Sequence, residues 1–205
     1  MSTHTERSYW ITRWGATAAE LQQKLPGDDL VPDAGERLTY AVTINAPEAA
    51  VWPWLVQIGQ GRGGWYSYEW IENVLGAGIH NVDRIHPEWQ NLKVGDTVRM
   101  YREGGGPPPY EVAALEPERA LILGHRLVDK APAWGESWAF VLQQIDERST
   151  RLIIRERFSS FLPTALQVMN YILTPGYFLM CRKMLLGLKQ RAERTFPAEQ
   201  QSRKK

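Results

Sequence analysis

The sequence predicts an α+β chain: one antiparallel sheet, a long C-terminal helix, and two short helices placed after the first strand. Three observations predict it. Residues 97–158 fall into short strand-like runs separated by turn residues such as Gly104-Gly-Gly-Pro-Pro-Pro109, Pro117-Glu118 and Asp146-Glu147, and such short connections favour an antiparallel meander. Tyr177, Cys181, Met184 and Leu188 recur at helical spacing, with Arg182, Lys183, Lys189, Glu193 and Arg194 largely off that stripe. Two helix starts, near Pro47 and Ser67, precede the meander.

In chain order, Thr17-Ala-Ala-Glu20 is a capping box that opens a short helix to about Leu25, stopped by Pro26-Gly27. A turn-rich linker, Asp28 to Gly35, follows. Arg37–Asn45 alternates as a first strand, with Leu38, Tyr40, Val42 and Ile44 on one face. Asn45-Ala46-Pro47 starts a helix that reaches Gly59, and Pro53 inside it predicts a kink or a break. Ser67 is placed to cap a second helix, Tyr68 to Leu75. The strand candidates are Thr97–Arg102, Tyr110–Glu116, Ala120–Arg126, Ser137–Gln144 and Thr150–Phe158, with Ala131-Pro132 as a further turn. The last helical region opens at Pro163 and Thr164, is interrupted by Pro175-Gly176 and ends near Arg194, before Pro197. The organisation expected is an N-terminal extension (1–37), one domain (38–194) and a basic tail (195–205).

At 205 residues with 43% hydrophobic and 23% charged side chains, the chain is long enough to bury a core without disulfide or metal. A formal net charge of +1 excludes a polycationic nucleic-acid binder. Cys181 is the one cysteine, so an intrachain disulfide and a multi-cysteine zinc site are excluded. No apolar segment of signal type stands near Met1, which makes a cytoplasmic protein the default expectation. Residues 182–205 hold eight basic and two acidic side chains. That is a solvated helix face with a loose tail or, alternatively, a weak contact for anionic membrane. Phe158 to Cys181 carries no charge. Its polar residues and its prolines argue for a helix on the sheet rather than a membrane span.

Gly59-Gln-Gly61-Arg-Gly63-Gly64 matches a dinucleotide fingerprint in letters only. A helical segment, not a strand, precedes it, and no βαβ repeat follows. A glycine-hinged aromatic loop with Arg62, Trp65, Tyr66 and Tyr68 is the better reading. His80, Asp83 and His86 are spread too widely for one metal; capping or a bond with Arg84 is expected instead. No cofactor is expected. His125 shows no partner pattern, and no paired-carboxylate motif stands out. In Arg151–Phe158 the residues Leu152, Ile154, Glu156 and Phe158 share one face and Arg151, Ile153, Arg155 and Arg157 the other. Glu156 either joins a surface ladder with its two arginine neighbours or points inward, as a ligand anchor or an acid/base group.

The ordered set Val42-Thr-Ile44-Asn-Ala46-Pro47 to Val51-Trp52-Pro-Trp54-Leu55, then Leu115-Glu116-Pro117-Glu-Arg119-Ala-Leu121, Ser137-Trp138-Ala-Phe140 and Thr150-Arg151-Leu152, resembles the START-like superfamily of polyketide-cyclase-like and birch-pollen-allergen-like proteins over about residues 38–194. The resemblance implies a helix-grip fold, in which a curved antiparallel sheet wraps the C-terminal helix and leaves an apolar cavity. It also implies a small hydrophobic ligand: a lipid, a polyketide or an aromatic metabolite. The lining expected is Trp54, Trp65, Tyr68, Trp70, Met100, Trp138, Phe140, Ile154, Met180 and Met184, with Glu156 as polar anchor. Binding is favoured over catalysis. The alternatives are a cyclase, dehydratase or hydrolase using Glu156 or His125, and an interaction module built on the basic C-terminal helix.

Overall fold

Thr17 and Glu20 close the box their spacing predicts: the Glu20 amide donates to Thr17 Oγ1 at 3.2 Å and the Thr17 amide to Glu20 Oε2 at 2.7 Å. The computed structural model describes residues 10–127, 133–159 and 164–202, and the side chains of all these except 164–172 and 197–202. The turn expected at Ala131-Pro132, the helix start at Pro163 and the tail residues Arg203, Lys204 and Lys205 lie outside the described residues. The elements are α1 (Ala18–Gln22), β1 (Ala34–Ile44), α2 (Glu48–Val56), α3 (Glu69–Val74), β2 (Thr97–Val98), β3 (Tyr110–Glu116), β4 (Ala120–Arg126), β5 (Trp134–Asp146), β6 (Ser149–Ser159) and α4 (Thr164–Ser202). The six strands form one antiparallel sheet in the order β1-β6-β5-β4-β3-β2.

Several boundaries differ from expectation for local reasons. The first helix stops at Gln22, short of Leu25, because Arg155 takes the Glu20 carbonyl that its next turn would need. The strand expected over Thr97–Arg102 ends at Val98, since the Arg99 carbonyl accepts from Gln60 and the Arg102 amide donates to Ala77. Ser67 does not cap α3. Tyr68 occupies the cap position, and the Ser67 hydroxyl donates to the Met180 carbonyl at 3.2 Å. Pro53 leaves α2 a single helix, whose Val51, Trp54 and Leu55 are fully buried. Likewise Pro175-Gly176 does not interrupt α4, and α4 does not end at Arg194. Both Pro175 and Gly176 are exposed, so a carbonyl deprived of its amide partner can turn to water. Among the described residues no helix is long and apolar enough to cross a membrane.

Strand alternation gives the sheet two buried faces. Leu38, Tyr40, Phe140, Leu142, Leu152 and Ile154 face α2 and α4, where Cys181, Met184, Leu185 and Leu188 complete the core. On the other face Ala41, Ile122, Ala139, Val141 and Ile153 pack against Leu25 and Leu30 of the N-terminal segment. That segment is also held by the odd-numbered arginines of β6. Arg151 pairs with Glu20, Arg155 with Asp28, and Arg157 donates to the Val31 carbonyl at 3.0 Å.

Helix α4 crosses the glycine loop at close range. A Cβ on Gly187 would sit inside contact distance of the Tyr66 carbonyl oxygen, and that backbone cannot simply move, because Tyr66 donates to the Trp54 carbonyl through its buried hydroxyl. Overpacking of this kind costs about 1–3 kcal/mol. Gly187→Ala therefore lowers the denaturant midpoint without changing the slope, and an unchanged midpoint in a urea titration would contradict the close contact.

Candidate functional site

The sheet brings together groups that are far apart in sequence. Residues of β5 and β6 pair so that Trp138 faces Glu156 and Glu136 faces Phe158. Glu136, Trp138 and Glu156 consequently share the face toward α4. Cross-strand pairing places His125 of β4 opposite Glu136. Its Nδ1 lies 3.1 Å from Glu136 Oε2 and its Nε2 2.9 Å from the Pro108 carbonyl. Both ring nitrogens thus face acceptors, which favours the doubly protonated cation. Burial opposes that charge, but the bond and the charge of Glu136 prevail and hold the imidazole pKa above its ordinary value. Tyr110 donates to Glu136 Oε1 at 2.7 Å and stacks on His125 with centroids 4.0 Å apart.

Glu156 stands in a different environment. It is 2% exposed, and burial first, then the neighbouring Glu136 charge, push its pKa well above the carboxylate range. A carboxyl whose environment favours its acid form therefore adjoins the Glu136–His125 contact. Tyr177 and Cys181 of α4 close over this point, and burial raises both of their pKa values, with the Glu156 charge adding to each.

An aromatic wall surrounds these groups. Trp65 stacks on Trp138 at 5.1 Å and 17°, and Trp138 also meets Tyr110, Phe140 and Tyr177. Tyr40 lies 6.4 Å from Tyr177. Three donors here are buried without a hydrogen-bond partner among the described residues, Tyr40 OH, Trp65 Nε1 and Trp138 Nε1, while the Tyr177 hydroxyl interacts with Glu156 and Cys181.

The expected lining is distributed unevenly. Trp65, Trp138, Phe140, Ile154 and Glu156 meet around this point, with Met184 buried on the facing helix. Trp54 packs edge-on against Tyr66 and beside Thr195, toward the later part of α4. Tyr68 and Met180 are half-buried on the rim, Tyr68 under Lys183 and Met180 against Ser67; Met100 is half-buried against the same core. Trp70 is not lining: it is 68% exposed. Glu69 and Asn73 explain why. They turn inward to bond Asn81 and Ile79, so the opposite side of α3, with Trp70 and Val74, faces water. The surface ladder is also overturned, since Arg155 and Glu156 are both buried, on opposite faces. His125 has partners after all, and Glu136, Tyr110, Tyr40 and Tyr177 join the constellation. Turn position alone gave no signal for this: the Asp146–Ser149 pairing would put Glu136 and Glu156 on opposite faces, and the register shift between Gln144 and Asp146 brings them onto one.

Two open depressions lie elsewhere on the surface. The larger, about 740 Å³, is lined by Leu75, Gly76 and residues 101–106, and the smaller, about 330 Å³, by Gln60, Gly61, Arg62, Thr97 and Arg99. Neither lies between the sheet and α4. His80 pairs with Glu69 and His86 with Glu88, and no metal-binding group of side chains occurs among the described residues. Gly59 and Gly64 close their loop through a β-bridge.

With β1 leading through α2 and α3 into the meander, and α4 returning across the face shared by β1 and β6, the arrangement is decided. This is an α+β helix-grip arrangement. No family model matches the chain, and no curated protein matches it. Solved structures similar to this helix grip include protein MLL2253 from Mesorhizobium loti, at 17% identity and a TM-score of 0.47, covering 78% of this chain and 98% of that one. The Aha1 dimer from Colwellia psychrerythraea matches at 15% identity and 0.43, over 77% and 96% of the two chains. The polyketide-cyclase-like protein Cgl2372 from Corynebacterium glutamicum matches at 18% identity and 0.37, over 75% and 88%.

Proposed function

We propose that this helix grip binds a small, largely apolar molecule between the concave face of its sheet and α4. The observation that carries the reading is the set of three unpartnered buried donors, Tyr40 OH, Trp65 Nε1 and Trp138 Nε1, around the Trp65–Trp138 stack. Each buried donor or acceptor left unmade costs about 1–3 kcal/mol. A core evolved only for packing would place Leu or Phe at such positions. A ligand that bonds to these atoms offsets the cost, and the surrounding rings supply the apolar contact that small-molecule sites use. Incubation of the protein with a panel of lipids and aromatic polyketides, followed by native mass spectrometry, is expected to show a one-to-one complex. Its formation quenches tryptophan fluorescence. Retention of no member of the panel would sink the reading.

A second reading, acid/base catalysis on such a molecule, is favoured by one specific feature. The Glu156 carboxyl, its pKa pushed well up by burial, stands beside the Glu136–His125 contact, and a carboxyl whose site raises its pKa is suited to act as a general acid. In that reading Glu156 donates a proton to a carbonyl or leaving oxygen. A pH–rate profile that keeps the same ionisation in Glu156→Gln would exclude it.

A further inference from the structure

We propose that the outer face of α3, with the adjoining stretch of α4, docks on an anionic membrane surface: Trp70, Val74 and Leu75 enter the headgroup layer, and Lys183 and Arg102 meet lipid phosphate. Trp70, Val74 and Leu75 are 68%, 79% and 65% exposed. The first two stand one helical turn apart on α3, and Leu75 ends it. Leu173 and Leu179 of α4 are exposed as well, and α4 carries no charge from Leu173 to Cys181. The two elements meet, since the Ser67 hydroxyl donates to the Met180 carbonyl at 3.2 Å and Lys183 lies 5.7 Å over the ring of Tyr68, the cap residue of α3. Anchoring through Glu69 and Asn73 explains why this side of α3 faces water. It does not explain tryptophan and valine there, where a charged side chain is the ordinary choice. Exposed apolar residues gathered in this way mark an interaction site.

Charge selects the partner. Lys183 stands at the start of α3. Arg102 stands past its end, where its amide donates to the Ala77 carbonyl at 2.8 Å and its side chain borders Gly78. The larger surface depression runs from Leu75 and Gly76 to Arg102. The nearby carboxylates are turned away or weakened. Glu69 accepts from the Asn81 amide and lies 3.4 Å from His80. Burial first, then Glu69, push the Glu72 carboxyl up to about 7, which reduces its negative charge at neutral pH. Glu103 leans toward Arg99 at 3.7 Å. A cationic rim around projecting apolar side chains complements an anionic bilayer surface. Tryptophan suits that depth, because its ring is apolar and its N–H can meet the headgroups. Side chains this exposed project from the surface instead of lining a groove, which fits insertion into a fluid layer. Among the described residues no helix is long and apolar enough to span a membrane, so the contact lies on the surface.

The test sediments the full chain with vesicles of phosphatidylcholine alone and of phosphatidylcholine mixed with phosphatidylserine. The chain is expected to bind the mixed vesicles, to bind the neutral ones more weakly, and to lose affinity for the mixed ones as salt is added. Trp70→Ser combined with Val74→Ser lowers the partition coefficient about tenfold or more on both vesicles. Lys183→Gln lowers it about fivefold, on the mixed vesicles only. Urea midpoints equal to the parent's show that these variants are folded. Three results would overturn the proposal. The first is no sedimentation with either vesicle. The second is binding that survives both variants and is lost with Arg203→Gln, Lys204→Gln and Lys205→Gln, which would move the contact to the basic tail. The third is a dimer that Trp70→Ser returns to monomer without any vesicle binding, which would assign the face to a second copy of the chain.

Discussion

Arg155→Ala is expected to lower the melting temperature by about 10 °C and to expose residues 10–33 to rapid hydrogen exchange. The guanidinium is fully buried and has four partners: the Gln23 carbonyl and Asp28 Oδ2, both at 2.8 Å, the Glu20 carbonyl at 2.5 Å and Thr39 Oγ1 at 3.3 Å. Burying such a cation is costly, and burial lowers its pKa despite the opposing pull of Asp28. The sign of the mutation is nevertheless clear. Truncating Arg155 leaves the Glu20 and Gln23 carbonyls without their guanidinium donor and Asp28 with only the Leu25 amide and a 3.7 Å approach of Arg157, and breaking a buried pair in this way costs about 3–5 kcal/mol. For a domain of this size each kcal/mol moves the midpoint by about 2–4 °C. The loss is directed: the same arginine joins β6 to the end of α1 and to the turn at Asp28, so the N-terminal segment leaves the sheet first. The apolar contacts of Leu25 with Ile122 and Ile153 then open as well. A variant melting within about 2 °C of the parent, with unchanged exchange over residues 10–33, would show that apolar packing alone holds the segment.

The same strand shows what the sequence could and could not convey. Its period-two pattern correctly divides Leu152, Ile154 and Glu156 from Arg151, Ile153 and Arg155, because alternation is a local property of any strand. Destination is not local. Three arginines on one face look like a solvated edge until residues 10–33 are known to lie over them, and the carbonyls they bind belong to chain more than a hundred residues away. The order of elements was legible for the same reason as the parity: Pro47, Pro117 and the glycine runs mark turns by their own backbone chemistry. Proline misled inside α4, where exposure of Pro175 lets the helix continue. Trp70 misled because aromatic character suggests burial, whereas α3 is anchored by its polar side through Glu69 and Asn73. The Glu136–His125 contact needed the register between β4 and β5, which turn composition alone did not fix.

Glu156→Gln is expected to raise stability above that of the parent at neutral pH, and to cease doing so in acid. The carboxyl is pushed up from its ordinary value by burial, and further by Glu136 beside it. Its folded-state pKa therefore lies above its unfolded one, and the native state binds the extra proton. Stability then falls as pH rises from the unfolded value, near 4.3 in model peptides, toward the folded value. Each unit of separation removes about 1.4 kcal/mol once both are passed. Glutamine keeps the shape and one acceptor, adds two donors, and titrates nowhere. The gain should reach at least about 3 °C in melting temperature at pH 8 and vanish near pH 4, where the glutamate is protonated in both states. Thermal melts of parent and variant across that range decide the matter: a gain independent of pH would assign it to packing, and a loss at pH 8 would mean that the carboxylate is ionised and paired in the native protein. The expected sign bears on function. A carboxyl that lowers the stability of its own fold is not there to hold the fold together. Its position beside the buried, unpartnered donors of Tyr40, Trp65 and Trp138 fits the ligand-contacting role proposed for it.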